Sequence, residues 1–392
     1  MTYQNNCTLP EEIIEQIADQ GLEALPELMR IIINQSMEIE RQKYLKAAHY
    51  ERTPERRGHA NGYKAKTVKT RIGEITFDVP QVREGGFYPG ALEKGIRSER
   101  ALVLTLAEMY VQGVSTRKVA AITEQLCGTE ISSMQVSRAA SQLDDVLEAW
   151  RKRPLGEIVY LYLDARYEKV RVDGQIRDVA VLIASGVGLA GKRQILSISV
   201  SLSEAEVHWR TFFKGLVARG LCGVRMIISD DHAGLKAARQ SVFGSIPWQR
   251  CQFHLQQNAT AYVPKKSLRK AVAEDIGMIF NAPDKATAEA YLKRTVEKYE
   301  QTASALANWM ETNIPEGLTV FNFPKEHRRR TRTVNMLERI NQEVRRRTRV
   351  VRIFPNPASC LRLVSAVLME ISENWETGRT YLSFNENTLS SS

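Results

Sequence analysis

The sequence predicts an α/β protein: a buried sheet in the middle of the chain, preceded by a mainly helical, basic region and closed by further helices. Three observations carry this. Residues 158–163 (IVYLYL) are continuously apolar and β-prone, as a strand covered on both faces should be. From there, strand-like runs alternate with amphipathic helical runs. Residues 9–50 and 100–148 repeat apolar side chains every three or four positions, the helix period.

Taken in order, residues 9–50 carry Ile13, Ile14, Ile17, Leu22, Leu25, Leu28, Ile31 and Ile32, with a break near Gly21 and Pro26. Residues 53–63 read as loop. Ile75, Phe77 and Val79 alternate with polar residues, so they form a strand, paired with Thr67–Ile72 through a turn at Gly73 and closed by Pro80. Residues 84–98, with four glycines and a proline, are a loop or linker. Residues 100–148 hold three short helices. Ser115 can cap the second, and Ser132 or Ser133 the third. The pattern is that of a helix-turn-helix, although Cys127–Ile131 is longer than the usual turn.

The sheet region follows. A strand at Ile158–Leu163 ends at Asp164, and strands at Tyr167–Val172, Val179–Val187 and Ile195–Leu202 come next, with Gly174 in the first turn. Ser203 caps a helix that Gly220 stops. A short strand at Met226–Ile228, a helix from Ala233 to Val242, a strand at Trp248–Phe253 and a helix from His254 complete it. Residues 264–323 are helical and fairly polar. Thr333 caps a helix running to Arg349, residues 358–373 form another, and the polar end from Thr377 frays.

Composition bounds the function. With 392 residues, 43% hydrophobic and 26% charged, the chain is long enough for two or three domains. The first 20 residues carry four acids and do not read as a secretory leader, and no run of ~18 uncharged apolar residues would span a membrane. Five scattered cysteines (Cys7, Cys127, Cys222, Cys251, Cys360) argue for a reducing cytosol rather than a disulfide framework. The net charge of +10 is concentrated: residues 325–352 hold eleven Lys and Arg, nearly all Arg, against three acids. Guanidinium forks match phosphate oxygens in pairs, so this stretch reads as a nucleic-acid surface. A second basic stretch runs from Arg52 to Arg71.

Two buried-looking strands lead into acids, Asp164 and the pair Asp230–Asp231. In open α/β sheets the crevice lies at the carboxyl ends of strands. An isolated acid there is costly unless something pairs with it, and a hard divalent cation is one such partner. The plainer alternative is that Asp230 or Asp231 caps the following helix and Asp164 makes an Asx turn. A two-metal phosphoryl-transfer site needs a third acid, and Glu338 and Glu343 on the Arg-rich helix both qualify. Periodicity does not choose, because the apolar face is Leu337, Ile340 and Val344.

Four ordered stretches, ERRGHANGYKAKTVKTRIGEITFDVPQVREG (55–85), YLYLDARYEKVRVDG (160–174), ISDDHAGLKAA (228–238) followed by RCQFHLQQN (250–258), and RTVNMLERINQEVRRRTRVVRIFPN (332–356), resemble the Mutator-type bacterial insertion-sequence transposases, the insertion-sequence-256 family. The resemblance spans about residues 10–380. It implies that Asp164, Asp230 and Glu338 are the catalytic, metal-binding acids, with Asn335 matching the Asn three residues before the Glu, and Cys251 and His254 forming the Cys-x-x-His signature. It also implies an RNase H-like core of the retroviral integrase superfamily, interrupted by a helical insertion. The acids are 66 and 108 residues apart, and the second gap is too long for one crossover.

The implied organisation is a helical region (1–52), a basic β-hairpin and loop (53–98), a helix-turn-helix-like DNA-binding domain (99–153), the core's first part (154–263), a helical insertion (264–325), the core's last part with the Arg-rich helix (326–380) and a polar tail (381–392). The implied activity is cleavage at the ends of an insertion sequence and joining of the 3′-hydroxyls to target DNA, using two Mg²⁺ ions or Mn²⁺ in their place. Arg339, Arg345, Arg346 and Arg349 would meet the scissile phosphates. Arg56, Arg57, Lys64, Lys118 and Arg138 would meet the terminal inverted repeats. A homodimer or larger assembly in the bacterial cytoplasm, at the nucleoid and with no membrane, goes with this. Cys251 and His254 have half the spacing of a zinc site, and neither Cys222 nor His232 completes it, so a packed Cys and a hydrogen-bonding His are expected. The alternatives are a catalytically silent DNA-binding regulator and an RNase H-like nuclease without joining. A nucleotide-driven motor is excluded by the lack of a phosphate-binding G-x-x-x-x-G-K-[ST] loop.

Overall fold

A computed structural model describes residues 11–48, 51–83, 86–92, 94–95 and 97–384. The chain divides into two compact units between Gln142 and Leu143. In the first unit, α1 (Glu11–Gln20) and α2 (Leu25–Leu45) are separated by one 3₁₀ turn at Gly21–Ala24, with Pro26 in the first turn of α2, where its missing N–H is harmless. A hairpin follows, β1 (Ala60–Thr70) and β2 (Gly73–Val82). Val68, Ile75, Phe77 and Val79 point inward onto Met37 of α2 and Leu92. The strands are longer than expected. Residues 60–66 are mostly exposed and carry no apolar alternation, yet they pair with the end of β2, and Pro80 lies inside the ladder opposite Tyr63.

Three helices complete this unit, α3 (Arg100–Val111), α4 (Thr116–Cys127) and α5 (Ser133–Ser141). The Ser115 hydroxyl accepts the Lys118 N–H, and Ser132 forms a reciprocal capping box with Gln135. Gly128, left-handed at φ 60°, ends α4. Where three helices were expected over 100–148 there are four. The last, α6 (Asp144–Lys152), belongs to the second unit, where Asp144 pairs with Arg362 and Arg151 donates to Ser365.

The second unit is built on a five-stranded sheet: β3 (Ile158–Val172), β4 (Gln175–Gly188), β5 (Arg193–Ser201), β6 (Met226–Ser229) and β7 (Trp248–Arg250). Its order is β5-β4-β3-β6-β7, with the first three antiparallel and β6 and β7 parallel to β3. Asp164 does not end a strand, as the sequence suggested. It is inside β3, which pairs with β4 as far as a two-residue turn at Asp173 (φ 49°) and Gly174 (φ 78°).

Helices α7 (Glu206–Ala218) and α8 (Ala233–Phe243) cover one face of the sheet. Leu161 and Leu163 pack there with Trp209, Phe213 and Leu235. Ser203 does not cap α7, since its hydroxyl accepts only the Ala205 N–H just before the helix. After β7 come α9 (Gln252–Ala259), then a helical block that packs with it in one core, α10 (Arg269–Phe280), α11 (Lys285–Tyr299) and α12 (Ser304–Asn313). Buried Gln249 and Arg250 of β7 clamp this block, Gln249 through the Gly317 carbonyl and the Val320 N–H, Arg250 through Asn313 and Glu316.

The chain then enters α13 (Lys325–Thr331), α14 (Asn335–Val351) and α15 (Pro357–Thr377). Thr333 does not cap α14, whose N-cap is Val334. Pro357 opens α15 rather than ending the preceding region, with the Asn356 side chain as its cap.

Residues 381–384, expected to fray, are docked, and the rest of the expected polar tail (385–392) lies outside the described residues. Tyr381 and Leu382 donate their N–H groups to the Gly191 carbonyl. The Ser383 carbonyl accepts from buried His327, and the Phe384 ring packs on Tyr160 and His327. Gly191 (φ +71°) makes this possible, because any Cβ there would collide with the Leu382 carbonyl. Gly191→Ala is therefore expected to destabilise the second unit by about 1–3 kcal/mol through overpacking, in addition to left-handed strain. Gly174→Ala, left-handed but with nothing nearby, should carry the strain alone. Urea melts of the two variants check this.

Candidate functional site

β3 places side chains alternately on its two faces. Leu161, Leu163 and Ala165 enter the α7–α8 core, and the even-numbered residues from Tyr160 to Glu168 reach α13 and α14. The Tyr160 hydroxyl is 2.8 Å from His327 Nδ1, and the Tyr162 hydroxyl donates to the Arg330 carbonyl at 3.1 Å. Asp164 accepts from Asn341 Nδ2 at 2.7 Å, Arg166 donates to the Asn341 carbonyl, and Glu168 accepts from the Thr348 hydroxyl at 3.0 Å. The acid of interest is thus one rung in a polar ladder that holds the Arg-rich helix onto the sheet.

Asp230 is in register with Asp164. The parallel pairing of β3 and β6 ends at Tyr162 opposite Ile228, and each Asp lies two residues further on. Asp164 is therefore at the carboxyl end of the parallel part of the sheet, although its own strand continues. Neither Asp230 nor Asp231 caps α8, whose N-cap is His232. The two diverge: Asp231 pairs with Arg250 at 3.0 Å and with Lys236 at 3.5 Å, whereas Asp230 Oδ1 turns to His254 Nδ1 at 3.8 Å. The other ring nitrogen of His254 is 3.9 Å from Glu338 Oε1. Glu343 is elsewhere, bonded to Arg346 and Arg347.

The Cys-x-x-His segment has a readable geometry. The buried Cys251 is the N-cap of α9 and accepts the Val334 N–H on its sulfur at 3.5 Å. Its own N–H donates to the Ser229 carbonyl, and the Gln252 N–H donates to the Arg332 carbonyl. These bonds fix the start of α14 against β6 and β7, and His254, one turn into α9, then stands between Asp230 and Glu338. Burial pushes the Cys251 thiol up to about 11, so it stays protonated and unreactive. The four described cysteines are free, and Cys7 lies outside the described residues.

The site is electrostatically unfinished. Burial pushes the Asp164 carboxyl up to about 7, with Asp230 and Glu204 adding to it while the Ala165 N–H and Asn341 oppose. Asp230 Oδ1, His254 Nδ1, Glu338 Oε1 and Asn341 Oδ1 are buried without a hydrogen-bond partner. Unpartnered carboxylate oxygens are the kind of hard donor a divalent cation takes. Yet among the described residues no three His, Cys, Asp or Glu stand close enough together to hold an ion as placed.

Two nearby residues escaped the sequence reading. Asn341 had no signal beyond its position. Glu204 lies close enough to act on Asp164, at the loop before α7. Gly234 allows that loop its approach, because a Cβ there would collide with the Glu204 carbonyl.

The basic residues separate into groups. Asn335, Arg339, Arg346 and Arg349 form an exposed stripe along α14, with exposed Arg345 beside it and Arg346 paired to Glu343. In the first unit, Arg57 and Lys64 are exposed around the hairpin, and Lys118 and Arg138 are exposed on α4 and α5. Arg56 is half-buried, its guanidinium bonded to the Glu51 and Gly58 carbonyls, so it shapes the loop. Among the described residues no helix is long and apolar enough to cross a membrane.

A family model described as "Transposase, Mutator family" matches residues 1–378. The transposase for insertion sequence element IS406 of Burkholderia multivorans is 58% identical over 371 residues, covering 94% of this chain and 96% of that protein. The transposase for insertion sequence element ISRM5 of Rhizobium meliloti is 44% identical, over 95% of this chain and 94% of its own length. The transposase for IS256 in transposon Tn4001 of Staphylococcus aureus is 36% identical, over 98% of this chain and all of its own length.

The raised Asp164 carboxyl sets a pH dependence. The unfolded chain releases this proton near 3.8 and the folded chain near 7, so folding is opposed increasingly as pH rises from about 4 to 7, and by a constant amount above that. In a chelator-treated preparation, Asp164→Asn should be more stable than the native chain by about 2–4 kcal/mol at pH 8. The advantage should vanish near pH 4. Urea melts across this range test it, and a pH-independent difference would refute the assignment.

Proposed function

The chain belongs to the Mutator family of transposases, and on that premise we propose that it cuts phosphodiester bonds at the ends of an insertion sequence and joins the ends to new DNA through Asp164, Asp230 and Glu338. One observation carries the reading. Residues 66 and 108 positions apart in sequence converge, Asp164 in register with Asp230 and His254 between Asp230 and Glu338. The strand order, three antiparallel strands followed by two parallel ones, supports an RNase H-like core with α10–α12 as its insertion.

The three acids, two of them (Asp230 and Glu338) with an unpartnered buried oxygen, are the residues that would hold two divalent ions. Bound there, such ions supply an activated attacking oxygen and a stabilised leaving oxygen. The chain's own groups do the rest. Asn341 and the Ala165 N–H fix the Asp164 carboxylate, and the Cys251 sulfur fixes the start of the helix bearing Glu338. His254 stands between Asp230 and Glu338, within ion-pair distance of both. The α14 arginines neutralise the strand around the scissile phosphate without reading its sequence.

Water cleaves the phosphodiester and leaves a 3′-hydroxyl. That hydroxyl then attacks a target phosphodiester in line, one P–O bond forming as another breaks, so no protein nucleophile is needed. The α3–α5 unit and the basic hairpin are assigned to the terminal inverted repeats. Joining two ends calls for at least two copies of the chain.

Cleavage and strand transfer on a duplex carrying the element's own end test this. Asp164→Ala, Asp230→Ala and Glu338→Ala should each lower both reactions by ~10³-fold or more with Mg²⁺, since each removes several kcal/mol of charge stabilisation. Asp231→Asn and Glu343→Gln should retain most activity. His254→Ala should lie between, at ~10–100-fold. Mg²⁺ should also raise the melting temperature of the native chain but not of Glu338→Ala. Cleavage without strand transfer from a pre-cut end would reduce the protein to a nuclease, and binding with neither reaction would make it a regulator.

A further inference from the structure

On the α13 side of α14, separate from the acids, lies a cavity of about 190 Å³, well above the ~10–15 Å³ that admits one water. Arg193 from the start of β5, Arg329 and Arg330 from α13, and Arg339 from α14 line it together with Asn335 and Tyr381, and no carboxylate does. Among the described residues none of the four arginines makes an ion pair, and Arg193 Nε is buried without a hydrogen-bond partner.

The arrangement is built rather than incidental. Arg193 is stacked on Trp375 at 4.3 Å and on Tyr381 at 4.7 Å, and Arg330 lies over the same Tyr381 ring at 4.8 Å. The docked segment carrying Tyr381 thus holds two guanidiniums around one phenol ring. Burial pushes the Arg193 guanidinium down, and the charges of Arg330 and Arg339 push it the same way. Like charges gathered in a half-enclosed space, with no acid to offset them, call for an anion from outside.

We propose that this cavity is a phosphate-binding subsite that takes one backbone phosphate of the DNA strand passing along α14. Arg339 borders it one residue beyond Glu338, so a phosphate held there would fix the register of the strand relative to the acids. Guanidinium forks and the Asn335 amide supply donors suited to a tetrahedral anion. The proposal rests on the reading of the chain as a DNA-cutting enzyme.

The test is a methylphosphonate scan of an element-end duplex, in which one phosphate at a time loses its charge. Binding to the full chain is read by fluorescence anisotropy without divalent ion. At one position the neutral linkage should weaken the native chain about tenfold. The same linkage should leave Arg193→Gln and Arg330→Gln unaffected, because each has already lost that contact. The salt slope of both variants should fall by roughly one. Arg329→Gln, at an exposed position, serves if either of the others melts early.

A native chain that binds and cuts the duplex, yet shows no position coupled to these arginines, overturns the subsite and leaves the function standing. Inorganic pyrophosphate that binds native but not variant protein, again with no coupled position, would assign the cavity to a free anion and overturn the DNA assignment. A native chain that neither binds nor cuts the duplex overturns the function and the subsite together.

Discussion

The second unit depends on the even-numbered face of β3. Five successive outward residues, Tyr160, Tyr162, Asp164, Arg166 and Glu168, each place a polar tip on α13 or α14. On the opposite face of the same strand Leu161, Leu163 and Ala165 pack into the core with α7 and α8. A strand with one oily and one hydrogen-bonding face fixes the helix on its polar side in rotation and in axial position, because slipping by one residue would exchange the two faces. That constraint brings Glu338 to the sheet's parallel edge, and hydrophobic packing of Leu337, Ile340 and Val344 alone would not set the register so tightly.

Around this frame the fold tolerates electrostatic cost. Asp164 is held close to Asp230 with only amide and backbone donors to offset its burial, and several buried oxygens stay unpartnered. Neighbouring acids show the opposite treatment. Asp231 is neutralised by Arg250 and Lys236, and Glu343 by Arg346 and Arg347. Within a few residues the chain separates acids that stabilise structure from acids kept in reserve, and partner geometry distinguishes them where burial alone would not.

Much of this was legible in the sequence, for reasons that differ by element. The sheet strands, α7, α8 and the Arg-rich helix follow from apolar periodicity, and the Ser115 and Ser132 caps from side-chain chemistry. The full length of β3 was not legible, because beyond Asp164 the residues turn polar and only pairing with β4 keeps them extended. Thr333 looked like a cap, but α14 begins at Val334 without a side-chain cap, and the Val334 N–H is taken by the sulfur of Cys251, more than eighty residues away. The docking of Tyr381–Phe384 was hidden because its partners, Gly191, His327 and Tyr160, are remote and the segment itself is polar. Periodicity placed Glu338 and Glu343 equally, and the contact with His254 distinguishes them. Asn341 had no local signature at all.

The helical block α10–α12 lies between Asp230 and Glu338 and shares one core with α9 and residues 314–321. At ~5–20 residues per second, a ribosome needs roughly 5–20 s to travel from one acid to the other. During that interval the block can condense with these neighbours and draw the two flanks together. The last acid and the terminal segment that packs over His327 emerge only afterwards. On the proposed reading, a nascent polypeptide would be folded yet unable to cut until Glu338 and the segment docked at His327 have been made.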